Sequence, residues 1–128
     1  MSSPKRVLAV VSDLMFTVKI QEAAKRAGME VLFVQTEQDA LEKARQQPAV
    51  IIIDLNNSWL PVLDLISTLK GDEGTRNISL LGYVSHVQTD LKQTAQAKGC
   101  DLVIARSALS QNLPAILKRY TDGLGLMK

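Results

Sequence analysis

The 128 residues predict one doubly wound α/β domain, with helices on both faces of a five-stranded parallel sheet. Apolar runs of strand length alternate with amphipathic stretches of helical spacing five times along the chain. The most apolar run, over 49–53, is rich in β-branched residues and stops abruptly at Asp54-Leu55-Asn56-Asn57. That is how a strand buried on both faces of a parallel sheet reads. The length suits a single core, so 1–128 is taken as one domain.

Each element has its own signal. The first strand, over 7–11, is Val-Leu-Ala-Val-Val, and Ser12-Asp13 ends it. A helix follows over 14–27, with Met15, Phe16, Ile20 and Ala24 as its apolar stripe. Asp13 is its candidate N-cap, and Gly28 supplies the left-handed residue that closes it. The second strand spans 30–34. Thr36, placed before Glu37 and Asp39, caps a helix over 37–46. The third strand, 50–54, ends on Asp54, and a helix over 60–70 closes at Gly71-Asp72-Glu73-Gly74. A strand over 79–84, a helix over 88–98 ending at Gly99, and a strand over 102–105 come next. The last helix is expected over 109–121, with Ser110 as cap and Pro114 in its first turn. Residues 122–128 lack periodicity and are expected to fray, leaving a core of about 5–121.

Composition excludes several function classes. Hydrophobic residues at 46% and charged residues at 22% are those of a globular protein. A net charge of +2, with basic residues scattered beside acids and few aromatics, gives nucleic acid no footprint. A lone cysteine, Cys100, and a lone histidine, His86, cannot form a disulfide or a closed Cys/His metal cage. Buried packing is the expected role of Cys100. No run is long enough for a signal-peptide core or a membrane helix, so the expected setting is the cytoplasm, with no membrane partner.

The candidate site is the C-terminal edge of the sheet. Right-handed crossovers bring Asp13, Asp54, Ser85 and Arg106 to that edge, each just after an apolar strand. Two acids, a hydroxyl and a cation suit a divalent metal and a phosphoryl group, with Asp13 and Asp54 as the metal-binding pair. His86 lies one residue further and is a candidate proton carrier or a solvated loop residue. Each residue also has a plainer reading: Asp54 as a turn former, Asp13 as a helix cap, Ser85 as a strand end. Arg106 is expected to pair with Asp54 or with Asp13. Trp59, in the loop after Asp54, covers the site, docks a partner or packs on the third helix.

With these residues in place, the chain resembles the receiver domains of response regulators, which have the flavodoxin-like fold, over roughly residues 5–121. The resemblance implies the strand order 2-1-3-4-5. It also implies that Asp54 is the phosphoacceptor for a histidine kinase, that Ser85 in Tyr83-Val84-Ser85-His86 contacts the phosphoryl group, and that Arg106 stands where the family has lysine. Receivers hold Mg²⁺ with an acidic pair after the first strand, and counting back from Gly28 without a gap puts Val11 and Ser12 there. Ser107 replaces the family's proline, and Val103 stands where many receivers have a switching aromatic.

These departures fit a pseudo-receiver: a non-enzymatic two-component signalling domain acting through protein–protein contact, without normal Mg-dependent phosphorylation. The resemblance implies a partner face containing Lys92, Gln96, Val103, Asn112 and Lys118. A histidine kinase or a downstream effector is the expected partner, and a homodimer is among the expected assemblies. The alternative is a working phosphorelay receiver modified on Asp54. A second alternative, a small flavin- or ligand-binding module, has no glycine-rich phosphate loop in its favour.

Overall fold

A computed structural model describes residues 5–85 and 88–121 of the chain. The elements run β1 (Arg6–Val10), α1 (Leu14–Arg26), β2 (Glu30–Phe33), α2 (Glu37–Ala44), β3 (Val50–Asp54), α3 (Val62–Gly71), β4 (Ser79–Val84), α4 (Thr89–Lys98), β5 (Leu102–Ala105) and α5 (Arg106–Thr121). All strand pairs are parallel, in the order β2-β1-β3-β4-β5. This is the predicted α/β architecture.

Alternation along the strands builds two cores. Val7, Ala9, Val50, Ile52, Leu81 and Tyr83 face α1 and α5, where Phe16, Ile20, Ala24, Leu109, Leu113 and Leu117 meet them. Leu8, Val10, Ile51, Ile53, Leu80 and Val84 face the opposite side, against Ala40 and Ala44 of α2, Leu65, Ile66 and Leu69 of α3, and Ala95 of α4. Every residue of β3 is buried, as a central strand covered on both faces must be. Gly28 (φ 74°) and Gly99 (φ 117°) have the left-handed conformation expected after α1 and α4.

Several boundaries differ from the sequence reading. The largest shift is in α5, which starts at Arg106 directly from the strand tip rather than at 109. Ser110 is therefore not its cap, and Pro114 lies inside the helix, where it is exposed and leaves the Ser110 carbonyl without its usual helical donor. The Leu109, Leu113, Leu117 and Tyr120 stripe buries one face and carries the helix past that break. Met15 also leaves its predicted stripe: it is 72% exposed, and α1 packs through Phe16, Ile20, Ala23 and Ala24 instead. Cys100 precedes β5 and is buried, with its thiol pushed up to about 11 chiefly by that burial. The segment 122–128 and His86 fall outside the described residues.

Candidate functional site at the C-terminal edge

The topology fixes where chemistry can gather. The chain crosses from β1 to β2 on one side and to β3 on the other, so the sheet's reversal point lies at the C-terminal ends of β1 and β3. Asp54 ends β3 there, opposite Tyr83 in the ladder with β4. Ser12 and Asp13 follow β1, Ser85 follows β4, and Arg106 opens α5 immediately after β5.

Asp54 is only 7% exposed, yet both its oxygens are engaged. Its Oδ1 accepts from the backbone N–H of Asn56 at 2.9 Å, an Asx turn, and its Oδ2 accepts from the Ser12 hydroxyl at 3.2 Å. Burial raises the pKa of the carboxyl above its ordinary value. The Asn56 N–H and the Ser12 hydroxyl oppose that shift, Asp13 adds to it, and Arg106 subtracts least of all. The cation of this edge therefore does little for Asp54.

Arg106 is occupied elsewhere. Its Nη2 pairs with Asp13 Oδ2, and its guanidinium lies 5.7 Å from the centroid of the Phe16 ring. Asp13 is the N-cap of α1, its Oδ1 accepting from Met15 N at 2.9 Å and Phe16 N at 3.3 Å. Of the two partners the sequence offered Arg106, Asp13 is the one it holds. Behind them Phe16 meets the Tyr83 ring at 4.6 Å between centroids. The Tyr83 hydroxyl is buried without a hydrogen-bond partner among the described residues, and burial, then Asp54 and Asp13, drive its pKa far above the ordinary value.

This donor set is poorly matched to Mg²⁺, which wants near-octahedral oxygen coordination with more than one carboxylate at hand. Both oxygens of Asp13 are already used, and Ser12 contributes a hydroxyl where a second acid would be needed. Among the described residues no cluster of three or more His, Cys, Asp or Glu side chains could hold a metal ion.

Two residues at this edge had no assigned role in the sequence. Ser12 registered only as a missing acid, though a hydroxyl directly before the cap of α1 is placed to reach the next strand's tip. Asn56 stands out in the sequence only as part of the polar run that stops the third strand. Its side-chain Oδ1 accepts from Ser85 N at 2.9 Å and its Nδ2 donates to Gln88 Oε1 at 2.9 Å, joining the β3–α3 and β4–α4 loops.

The expected partner face is only partly gathered. Lys92, Gln96 and Val103 line one groove between α4 and β5, together with Val84, Gln88 and Ile104. Val103 forms its floor and, at 2% exposure, presents little surface to a partner. Asn112 and Lys118 lie on α5 outside the groove lining, and the Asn112 amide donates to Ala108 O of its own helix at 2.8 Å. Trp59 is 59% exposed. Leu14, Met15 and Val18 of α1 are likewise exposed apolar residues.

No protein-family model and no curated protein matches the sequence. Solved structures of the same fold do match. The phosphorylated cyanobacterial phytochrome response regulator RcpA superposes with a TM-score of 0.76 at 21% identity, covering 91% of this chain and 90% of that one. A putative response regulator from Chloroflexus aurantiacus gives a TM-score of 0.80 at 18% identity, covering 94% and 99%. The Mn²⁺-bound form of the response regulator Rcp1 gives 0.75 at 16% identity, covering 98% of each chain. The fold of this chain is thus the fold of response regulators.

Proposed function

We propose that the chain is a receiver-like signalling domain, folded as one unit over residues 5–121, that works through protein–protein contact with Asp54 left unphosphorylated under ordinary Mg²⁺ conditions. The observation that carries this reading is the engagement of Asp13 and Arg106 with each other while Ser12 takes an Oδ2 lone pair of Asp54. A phosphoacceptor needs its carboxylate free, a metal-binding acid beside it and a cation ready for the incoming charge. Here all three groups have other partners. Histidine kinases and downstream effectors are the partner class that the likeness to response regulators suggests, and the α4–β5 groove is the face proposed for them. The single cysteine is a buried thiol, which suits a reducing, cytoplasmic setting. Among the described residues no helix is long and apolar enough to cross a membrane.

A phosphorylatable receiver is the second reading, favoured by the retained acid at the tip of β3 and by a phosphorylated and a Mn²⁺-bound protein among the matching folds. Trp59, exposed and five residues beyond Asp54, reports on the choice. Beryllofluoride titrated at millimolar Mg²⁺ is expected to leave Trp59 emission unchanged. Saturable quenching that disappears in Asp54→Asn establishes the second reading instead.

A further inference from the structure

We propose that Asn56 is a positioning residue that ties the Asp54 carboxylate to the start of α4, its backbone N–H on Asp54 and its side chain on the β4–α4 loop, so that a change at Asp54 is felt at the α4–β5 groove through this residue. Asn56 uses three polar groups at once. Its backbone N–H donates to Asp54 Oδ1, its side-chain oxygen accepts from Ser85 N, and its side-chain nitrogen donates to Gln88 Oε1, each at 2.9 Å. An asparagine side chain offers one acceptor and two donors on a rigid plane, so it can bridge a carboxylate turn and a second loop without rearranging either.

The far end of this bridge is a helix start that, among the described residues, has no side-chain cap. Gln88 is the N-cap of α4, but its side chain makes no capping bond. Its backbone carbonyl accepts from Lys92 N at 2.9 Å, the first helical bond of α4. α4 buries only Ala95 in the core, so its packing is the lightest among the five helices as described. Gln88, Thr89 and Lys92 all line the groove, above Val84 and Val103. A helix so lightly packed responds to the loss of one anchoring bond at its end more than a deeply packed one does.

The near end is sensitive to Asp54 because an ionised carboxylate is a stronger acceptor than a neutral amide or an esterified oxygen. Weakening that acceptor loosens the Asx turn, and with it the plane that holds Ser85 N and Gln88. The inference relies on the proposed function only in taking the groove as the partner face.

Amide hydrogen exchange on the full chain tests it without metal, phosphate or partner, so its failure leaves the partner-face reading untouched. Exchange at Ser85 and Lys92 is measured in the wild type, Asp54→Asn, Asn56→Ala, Gln88→Ala and the Asp54→Asn/Asn56→Ala double variant. The Ile52 amide of β3 serves as the reference for global stability. Relative to that reference, Asp54→Asn and Asn56→Ala are each expected to speed exchange at both amides by about threefold or more, the scale of one weakened hydrogen bond. Gln88→Ala is expected to speed Lys92 alone. In the double variant Asp54→Asn adds nothing further, because the bridge is already gone. Unchanged exchange at Lys92 in Asp54→Asn, or additive effects in the double variant, overturns the proposal.

Discussion

The ion pair between Asp13 and Arg106 can be isolated by a double-mutant cycle, because Asp13 has two separable jobs. One oxygen caps α1 and the other meets the guanidinium. Asp13→Asn keeps the capping oxygen and removes the charge, whereas Asp13→Ala removes both and loses roughly 1 kcal/mol more for the cap. Arg106→Met keeps much of the apolar stem and removes the cation. The side chains are 27% and 40% exposed, so solvent screens the pair and its coupling belongs at the upper end of the range for exposed pairs, about 1 kcal/mol. The contact with the Phe16 face adds about 0.5 kcal/mol to the loss in Arg106→Met. Arg106→Met should therefore destabilise by roughly 1.5 kcal/mol, or about 4–8 °C in Tm for a domain of this size. Urea denaturation of the wild type, both single variants and the double variant gives the coupling. It should shrink as salt rises from about 0.1 to 1 M, where the screening length falls from about 10 to 3 Å. A coupling within about 0.3 kcal/mol of zero at low salt refutes the reasoning. Arg106 would then be unengaged and available to Asp54, and the main support for an occupied, silent site would be lost.

Asp54→Asn should stabilise the fold at neutral pH. Burial raises the folded pKa of Asp54 above its ordinary 3.8, so the folded state holds this proton more tightly than the unfolded chain does. The penalty is absent below the unfolded value, grows as pH rises through the window up to the folded value, and stays in full above it. Denaturant midpoints of the two proteins should converge in acid and separate at neutral pH; equal midpoints at both contradict it. At the opposite edge Lys70 donates to Arg76 O at 3.0 Å, Ile78 O at 3.1 Å and Asp101 Oδ2 at 2.9 Å. Lys70→Met should cost about 2 kcal/mol through the carbonyls and carboxylate it strands, visible as a lower thermal midpoint; a loss below about 0.5 kcal/mol would show the cluster to be solvated without it.

The sheet was legible because its signals are redundant. β3 is apolar at every position and buried at every position, and the helix stripes point to one face or the other. Caps set by short-range chemistry were equally readable: Thr36 Oγ1 accepts from Asp39 N at 3.1 Å, and Asp13 caps α1. The start of α5 was not, because Ser110 and Pro114 form a plausible local start signal, while Leu109 to Tyr120 packing and the strand tip at Ala105 override it. Met15 leaves its expected stripe for a related reason. A helical stripe is one residue ambiguous in its first turn, and the neighbouring strand tips decide which way that turn faces. At the site, sequence order brings Asp13, Asp54 and Arg106 to one edge, but it cannot say which carboxylate the arginine chooses.

That choice follows from charge and burial together. Asp54 sits at 7% exposure, held by a backbone N–H and a hydroxyl, both neutral donors. Bringing the guanidinium to it would draw a broad, planar, five-donor group into a buried site, where every N–H left without an acceptor is costly. At Asp13 the same group keeps 40% of its surface, satisfies a carboxylate that is itself 27% exposed and lies against an aromatic face. A compact ammonium on a flexible stem carries less of that cost and could approach a buried acid. Arginine at 106 and serine at 12 are thus one arrangement: with Asp13 engaged and a hydroxyl at 12, the edge is balanced by an internal ion pair beside a buried carboxylate.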